Sequence, residues 1–407
     1  MAPIECISAF GGCEGFEVCG CRRELRGGAS WCVIRLLRRR GAPAVCSGCL
    51  RTVMAFHDVT WRRVRDLPLF EHAVELEVPR LRVACAHCGP KLELLPWLSR
   101  YARVTARLAE SVVRLCAVMS LRHVAAYVGL DWKTVKEIDK RYLAARLGPV
   151  DLSGVTILGL DEFAIQKGHR YATVVIEPAR KRVLWVGRGR AREDLRAFFR
   201  LLGPAGCARL EAVVMDMSTA YREEVAANAP NARIVYDLFH VVAKYGREVV
   251  DRVRVDEANR LRADRRARKL VKGARWLLLK NRENVTRPED RVRLTDLLKA
   301  NRALLKVYVL KDDLKTLWDY RSEAHARRCW EGWYRRAIRS RLEPPKAFAR
   351  KLKAYLPGIL AHCEYPLHTR LLEGINNKIK VIKRMAYGYR DDEYFFLKIR
   401  AAFPGNG

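Results

Sequence analysis

Apolar and polar positions change period along the chain, and the changes mark out its elements. Over residues 1–100 short runs alternate, as in Ala73-Val74-Glu75-Leu76-Glu77-Val78, and a period of two predicts half-buried strands; 70–81 has strand character. Residues 101–148 follow a helical pattern. From 151 to 245 strand and helix patterns take turns. Residues 246–370 are helical, very basic and rich in Trp, and 371–407 reads as one or two closing helices. No internal repeat and no low-complexity linker interrupts this order. Sharp proline punctuation falls at Pro149, Pro344-Pro345 and Pro357.

Charge narrows the picture. The chain carries 78 Lys+Arg against 45 Asp+Glu, a net charge of +33. Such a surface gathers polyanions, and nucleic acid is the expected partner ahead of ribosomes or acidic membranes. Half the residues are hydrophobic, which excludes global disorder. The opening MAPIECISAF lacks the basic flank and apolar run of a signal peptide. No stretch reaches the ~18–20 apolar residues that span a bilayer. A cytoplasmic protein with no membrane partner is expected, its 13 Cys reduced and free for metal binding or burial.

Two CxxC pairs stand out, Cys46-Ser-Gly-Cys49 and Cys85-Ala-His-Cys88. Each places two thiolates on one Zn²⁺, and together they complete a tetrahedron. The 35 residues between them exceed a compact ribbon and must form a β-rich excursion that returns. His87 is a bystander in this reading. Cys19-Gly-Cys21 either helps a second metal site or does nothing.

Residues 121–138 have helix-turn-helix grammar. Ala125 is small where two helices touch, Gly129 permits the turn, and Val124, Val128, Leu130, Val135 and Ile138 supply a shared core. Asp131 caps the second helix, which presents Trp132, Lys133, Lys136 and Lys140 to a major groove. The competing reading is a plain helical hairpin.

The acids carry the chemistry. A buried strand over 155–162 ends in Asp161-Glu162. Strands over Arg170–Glu177 and 181–187 follow, then a helix over 191–202, a strand over 210–216 ending in Asp216, a helix over 220–228 and a strand over 232–236. That is the order of an RNase H-like sheet. Two Asp at neighbouring strand ends can share hard divalent cations and leave room for phosphate and water. Either alone would read as a helix cap or turn former. Glu373 is the third candidate. On a helix it shares a face with Asn376, Asn377 and Lys380, with Lys383 and Arg384 following, a set suited to a phosphodiester backbone.

CxxC/CxxC, helix-turn-helix, GLDEFA, VVMDMS, DLFH and EGINNKIKVIKRMAYGYR, in that order, resemble the ISL-three family of insertion-sequence transposases, a DDE type. The resemblance covers Cys46 to Phe403 and leaves out the first forty or so residues. It implies an α/β protein: an RNase H-like catalytic core with a large α-helical insertion, preceded by a β-rich zinc-binding domain and a helix-turn-helix. The 157 positions between Asp216 and Glu373 hold the insertion. It implies the triad Asp161, Asp216 and Glu373, with two Mg²⁺ (or Mn²⁺) ions per active site. A water cuts at the element's terminal repeat, and the freed 3′-hydroxyl attacks target DNA.

Asp237 and His240 match the (C/D)xxH signature shared by several DDE families with a helical insertion, and are expected at the DNA. Among the insertion tryptophans, Trp318, Trp330 and Trp333 are candidates to stack on an unpaired base, against the reading that they are core. Arg252, Arg254, Arg260, Arg262, Arg265, Arg266, Arg268 and Lys269 would grip phosphates. The implied partner is double-stranded DNA, bound by a homodimer or higher oligomer on the bacterial nucleoid. An RNase H-like nuclease or resolvase would cut without joining. A zinc/helix-turn-helix repressor with an inert catalytic domain would show a broken triad.

Overall fold

The computed structural model describes residues 12–166, 168, 170–366 and 370–406. The chain divides into two compact units. One runs up to Gly148 and includes Lys383–Tyr387; the other comprises Pro149–Ile382 and the chain from Gly388.

The first unit opens with strands β1 (Phe16–Arg26), β2 (Ala29–Arg38), β3 (Ala44–Cys46), β4 (Thr52–Val53), β5 (Phe56–Leu69), β6 (His72–Cys85) and β7 (Gly89–Leu94). They form one sheet in the order β1-β2-β6-β7-β3-β4, with β5 paired to β6. The predicted strand over 70–81 begins two residues later. Phe70 has φ 53° and belongs to the β5–β6 turn. Val64, Val74, Leu76 and Val78 alternate inward against Phe16, Ile34 and Leu36. Cys21 Sγ lies 3.2 Å from Cys32 Sγ, and Cys19 Sγ donates to the Arg35 carbonyl. Neither joins a metal cluster among the described residues. Cys6 lies outside them.

Helices α1 (Ala106–Cys116), α2 (Leu121–Val128) and α3 (Trp132–Leu147) follow. Thr105, Ser120 and Asp131 cap them, each accepting a backbone N–H of the first turn. Gly129 turns the chain at φ 64°, a left-handed conformation that glycine adopts without steric cost. Val112, Val124, Ala125, Val128 and Val135 form the core of the three helices.

The second unit is built on β8 (Ile157–Gln166), β9 (Arg170–Glu177), β10 (Arg182–Arg188), β11 (Ala212–Met215) and β12 (Arg233–Tyr236). The order is β10-β9-β8-β11-β12, antiparallel through the first three and parallel from β8 to β12. Helices α4 (Arg192–Ala208), α5 (Thr219–Asn228) and α6 (Leu238–Tyr245) connect and follow these strands. α4 runs beyond the expected 202, kinked at Gly203 ahead of Pro204. β8 does not end at Asp161. Phe163 and Ile165 keep the buried alternation going, and β9 pairs with it as far as Gln166.

The insertion contains α7 (Asp251–Arg260), α8 (Arg265–Gly273), α9 (Arg275–Leu279), α10 (Pro288–Ala300), α11 (Arg302–Lys315), α12 (Glu323–Ile338), α13 (Glu343–Lys353) and α14 (Leu356–Leu360). After it come α15 (Arg370–Met385) and α16 (Asp392–Ala402). The three tryptophans proposed for base stacking are core residues. Trp333 is fully buried and donates from Nε1 to the Leu310 carbonyl at 2.8 Å. Trp330 packs on it with centroids 5.2 Å apart, and Trp318 is buried beside His362. Reaching a base would require unpacking the insertion core. No described helix is long and apolar enough to cross a membrane.

Candidate active site and metal centre

Strand register places the acids. β11 pairs with β8 at Ala212–Ile157 and Val214–Gly159, and with β12 at Met215–Tyr236. Extending those registers by one or two residues sets Asp161, Asp216 and Asp237 in one row across three neighbouring strands. Parallel pairing of β8 stops at Gly159, so the row lies where the sheet opens.

Asp161 is 6 % exposed. Its Oδ1 accepts the Glu162 N–H at 2.7 Å, and its Oδ2 accepts from Asn376 Nδ2 at 2.5 Å. Burial pushes its carboxyl up to about 7; His240 and the Glu162 N–H pull it down, and Asp216 and Asp237 raise it further. Asp216 is half-buried and accepts the Ser218 N–H.

Asp237 was expected to meet DNA, yet it is buried and caps α6 through the Phe239 N–H at 2.6 Å. A carboxylate has no hydrogen-bond donor to offer a phosphate, and burial keeps this one from the surface. His240 stands half-exposed, its Nε2 4.0 Å from Asp237 Oδ2.

α15 brings the remaining groups. Leu372, Ile375, Ile379 and Ile382 are its buried stripe, which leaves Glu373, Asn377 and Lys380 exposed and Asn376 half-buried against Asp161. Lys383 is half-buried and Arg384 exposed. Glu373 lines a cavity of about 780 Å³ with Phe239, Arg247, Trp276, Asn281 and Lys315. Among the described residues, Asp161, Asp216 and Glu373 are not gathered to ligand spacing as the cysteines are. Like charges hold carboxylates apart until a cation joins them. The oxygen-only donor set suits hard Mg²⁺ or Mn²⁺, and so does a buried carboxamide oxygen, Asn376 Oδ1, that has no hydrogen-bond partner.

The zinc centre is compact. The Sγ atoms of Cys46, Cys49, Cys85 and Cys88 all lie within 4.8 Å of one another. Cys46 ends β3 and Cys85 ends β6, and the long β5–β6 hairpin is the excursion that returns the second pair to the first. Gly48 leaves room for the knuckle: a Cβ there would sit 3.1 Å from Cys88 Sγ, close enough that the thiol would have to give. Backbone N–H groups of Cys88 and His87 draw the Cys85 thiol down to about 7. The Cys49 thiol and burial push Cys88 up to about 12. Crowded thiolates of this kind are what a tetrahedral dication neutralises.

On the recognition helix Trp132 and Lys133 are exposed; Lys136 is half-buried, 3.9 Å from Glu137. In the insertion Arg262, Arg265 and Arg266 are exposed, with no acidic partner among the described residues. Arg254 departs from the expected phosphate contacts. It is buried, bound to Asp251 and the Lys272 carbonyl. The exposed insertion tryptophan is Trp276, at 70 %, with the Arg275 guanidinium 5.3 Å from its ring. Sequence reasoning passed over it because nothing local separates a covered tryptophan from an open one.

Comparison with known proteins covers each of these parts. A family model described as a transposase, the ISL3 DDE type, matches residues 158–399. The helix-turn-helix domain of transposase family ISL3 matches 93–143, and the zinc finger of the IS204/IS1001/IS1096/IS1165 transposases matches 42–88. The transposase for insertion sequence element IS1001 of Bordetella parapertussis is 56 % identical over 363 residues, 89 % of either chain. The transposase for IS1557 of Mycobacterium tuberculosis is 28 % identical over 356 residues, 82 % of this chain and 79 % of its own. Three matched domains in the family's order, and an alignment across nearly the whole of both chains, exclude a borrowed module: this chain belongs to the ISL3 family of DDE transposases, metal-dependent enzymes that cut and join DNA.

Proposed function

We propose that the chain binds the terminal inverted repeats of its own element and works through Asp161, Asp216 and Glu373. The observation that carries this reading is the register that aligns Asp161 with Asp216, beside the helix that carries Glu373. Divalent ions, when bound, supply Lewis acidity at the attacked phosphate and at the leaving oxygen. Asp161 is the fixed member, held by the Glu162 N–H and Asn376 in an enclosed position. Asp216 sits at the end of β11 with one oxygen tied to Ser218. Glu373 stands on the exposed side of α15, where the phosphodiester arrives. Asn377 and Lys380 continue that side toward the DNA backbone, and His240 opens onto the acid row.

A labelled terminal repeat incubated with target DNA and Mg²⁺ tests the function directly. Cleavage followed by joining is expected. Cutting without joining would favour a resolvase, and binding without cutting a repressor. The enzyme acts in the cytoplasm, on the nucleoid. Two element ends and one triad per chain call for at least a homodimer.

DNA binding divides between the units. Lys133→Ala with Lys136→Ala should lower the preference for the repeat over random DNA. Neutralising Arg262, Arg265 and Arg266 together should weaken binding to every DNA and lower the salt slope by about three, roughly one per lost phosphate contact. Binding titrations across a salt series read both. An arginine variant that lost only end preference, with its slope intact, would reverse the assignment.

Trp276 takes the place proposed for the buried tryptophans. It shares the cavity beside Glu373 with Phe239, Asn281 and Asn284: two aromatic faces, two amides and flanking cations. Base–aromatic stacking is worth about 1–3 kcal/mol. Trp276→Ala should therefore slow cleavage by about 10- to 100-fold at unchanged thermal stability. Trp333→Ala should instead cost about 3–5 kcal/mol of stability. Single-turnover cleavage alongside thermal melts separates the two.

A further inference from the structure

The sequence reading sends Asn376 to the DNA. The structure directs it elsewhere. It lies one helical turn after Glu373 on α15, and its Nδ2 donates to Asp161 Oδ2 at 2.5 Å. Its other end, Oδ1, is buried and accepts nothing. Buried acceptors in native proteins are almost always satisfied, so an open one on the amide that holds the candidate metal carboxylate Asp161 is free to take a cation. A carboxamide oxygen is a hard donor of the kind that Mg²⁺ and Mn²⁺ accept.

We propose that Asn376 is itself a ligand of the divalent-ion site, its carboxamide turning over when the ion binds. In the metal-free protein the amide N–H fills the lone-pair direction of Asp161 Oδ2 and holds the carboxylate in place. A cation on that oxygen repels the N–H₂ end and attracts Oδ1, and a half-turn about the last side-chain bond exchanges them. No covalent bond changes. The amide thus serves one carboxylate oxygen as a placeholder and the incoming ion as a donor. This inference rests on the carboxylate reading above.

The test is Mn²⁺ binding to the full-length, zinc-loaded protein, followed by loss of the free-ion electron paramagnetic resonance signal. End binding is measured in parallel without Mg²⁺ or Mn²⁺. Asn376→Ala should weaken Mn²⁺ binding at least tenfold and leave metal-free end binding within about twofold. Asn376→Asp, which keeps an oxygen at the same reach, should restore Mn²⁺ binding to within about threefold. Should Asn376→Ala fail to fold, Asn376→Gln, which displaces the oxygen by one methylene, must show the same loss. Unchanged Mn²⁺ affinity in both the Ala and Gln variants overturns the proposal, as does failure of a folded Asp variant to rescue. So does a tenfold loss of metal-free end binding, which would return Asn376 to the DNA. Asp161→Asn separates the two levels. If it loses Mn²⁺ while Asn376→Ala does not, only the ligand assignment falls. If Asp161→Asn binds Mn²⁺ like the unmutated protein, the carboxylate reading falls, and this one with it.

Discussion

Asp161→Asn, Asp216→Asn and Glu373→Gln should each abolish cleavage at the terminal repeat, by about a thousandfold or more, while leaving end binding intact. The magnitude follows from the work a metal-holding carboxylate does. Stabilising developing charge on a phosphoryl oxygen is worth several kcal/mol, and each ~1.4 kcal/mol is a factor of ten in rate. Each change is isosteric and removes charge without removing volume. Nicking of an end-labelled repeat, beside a gel-shift titration of the same preparation, reads both halves of the prediction. A mutant that cuts at full rate takes its residue out of the site. Glu162→Gln is the control. Glu162 neighbours Asp161 on β8 with its side chain on the opposite face, paired with Arg190 at 3.1 Å, and its loss should change cleavage by less than about tenfold.

The second large effect is at the zinc. Structural Zn²⁺ contributes on the order of 10–16 kcal/mol, as much as the whole stability of an ordinary domain. The hydrophobic cluster around the four thiols is small: Ala44, Leu81 and Val83, with Val53 packed against them, besides the cysteines themselves. Removing the metal should therefore loosen β3 and β4, which pack on this cluster. Metal analysis should find one Zn²⁺ per chain, and none in Cys85→Ser. That variant should lose the first unit's part of the near-ultraviolet signature and its binding to the terminal repeat. Finding no zinc in the unmutated protein would defeat the assignment.

Patterns along the chain reached far because most of the architecture is locally encoded. Alternation marked β5 and β6, and Gly129 with Asp131 marked the turn into the recognition helix. The acids after the apolar runs 155–160 and 210–215 pointed to the row that register aligns across β8 and β11. What failed depends on partners distant in sequence. Asp161 was read as a strand end because its run of consecutive apolar residues stops there, yet β9 carries the strand on to Gln166. Asp237 was read through its spacing to His240, while its place in the acid row is a matter of register between β11 and β12. Trp333 and Trp276 both lie in basic helical sequence, and only the packing of α11 and α13 against α12 decides which is covered. Asn376 was assigned by the helical face it shares with Lys380, which says nothing of the strand beneath it.

The order in which the parts leave the ribosome now matters. The zinc finger and helix-turn-helix emerge before Asp161 and Asp216, and Glu373 follows Asp216 by 157 positions. A nascent or prematurely terminated polypeptide therefore carries the DNA-reading parts and two acids but lacks the third. With its first unit folded, it should compete for the repeats with no blade of its own. Frameshifts and stop codons in the insertion should then turn such a gene into a source of its own antagonist, and the longer the insertion, the larger the mutational target that does so.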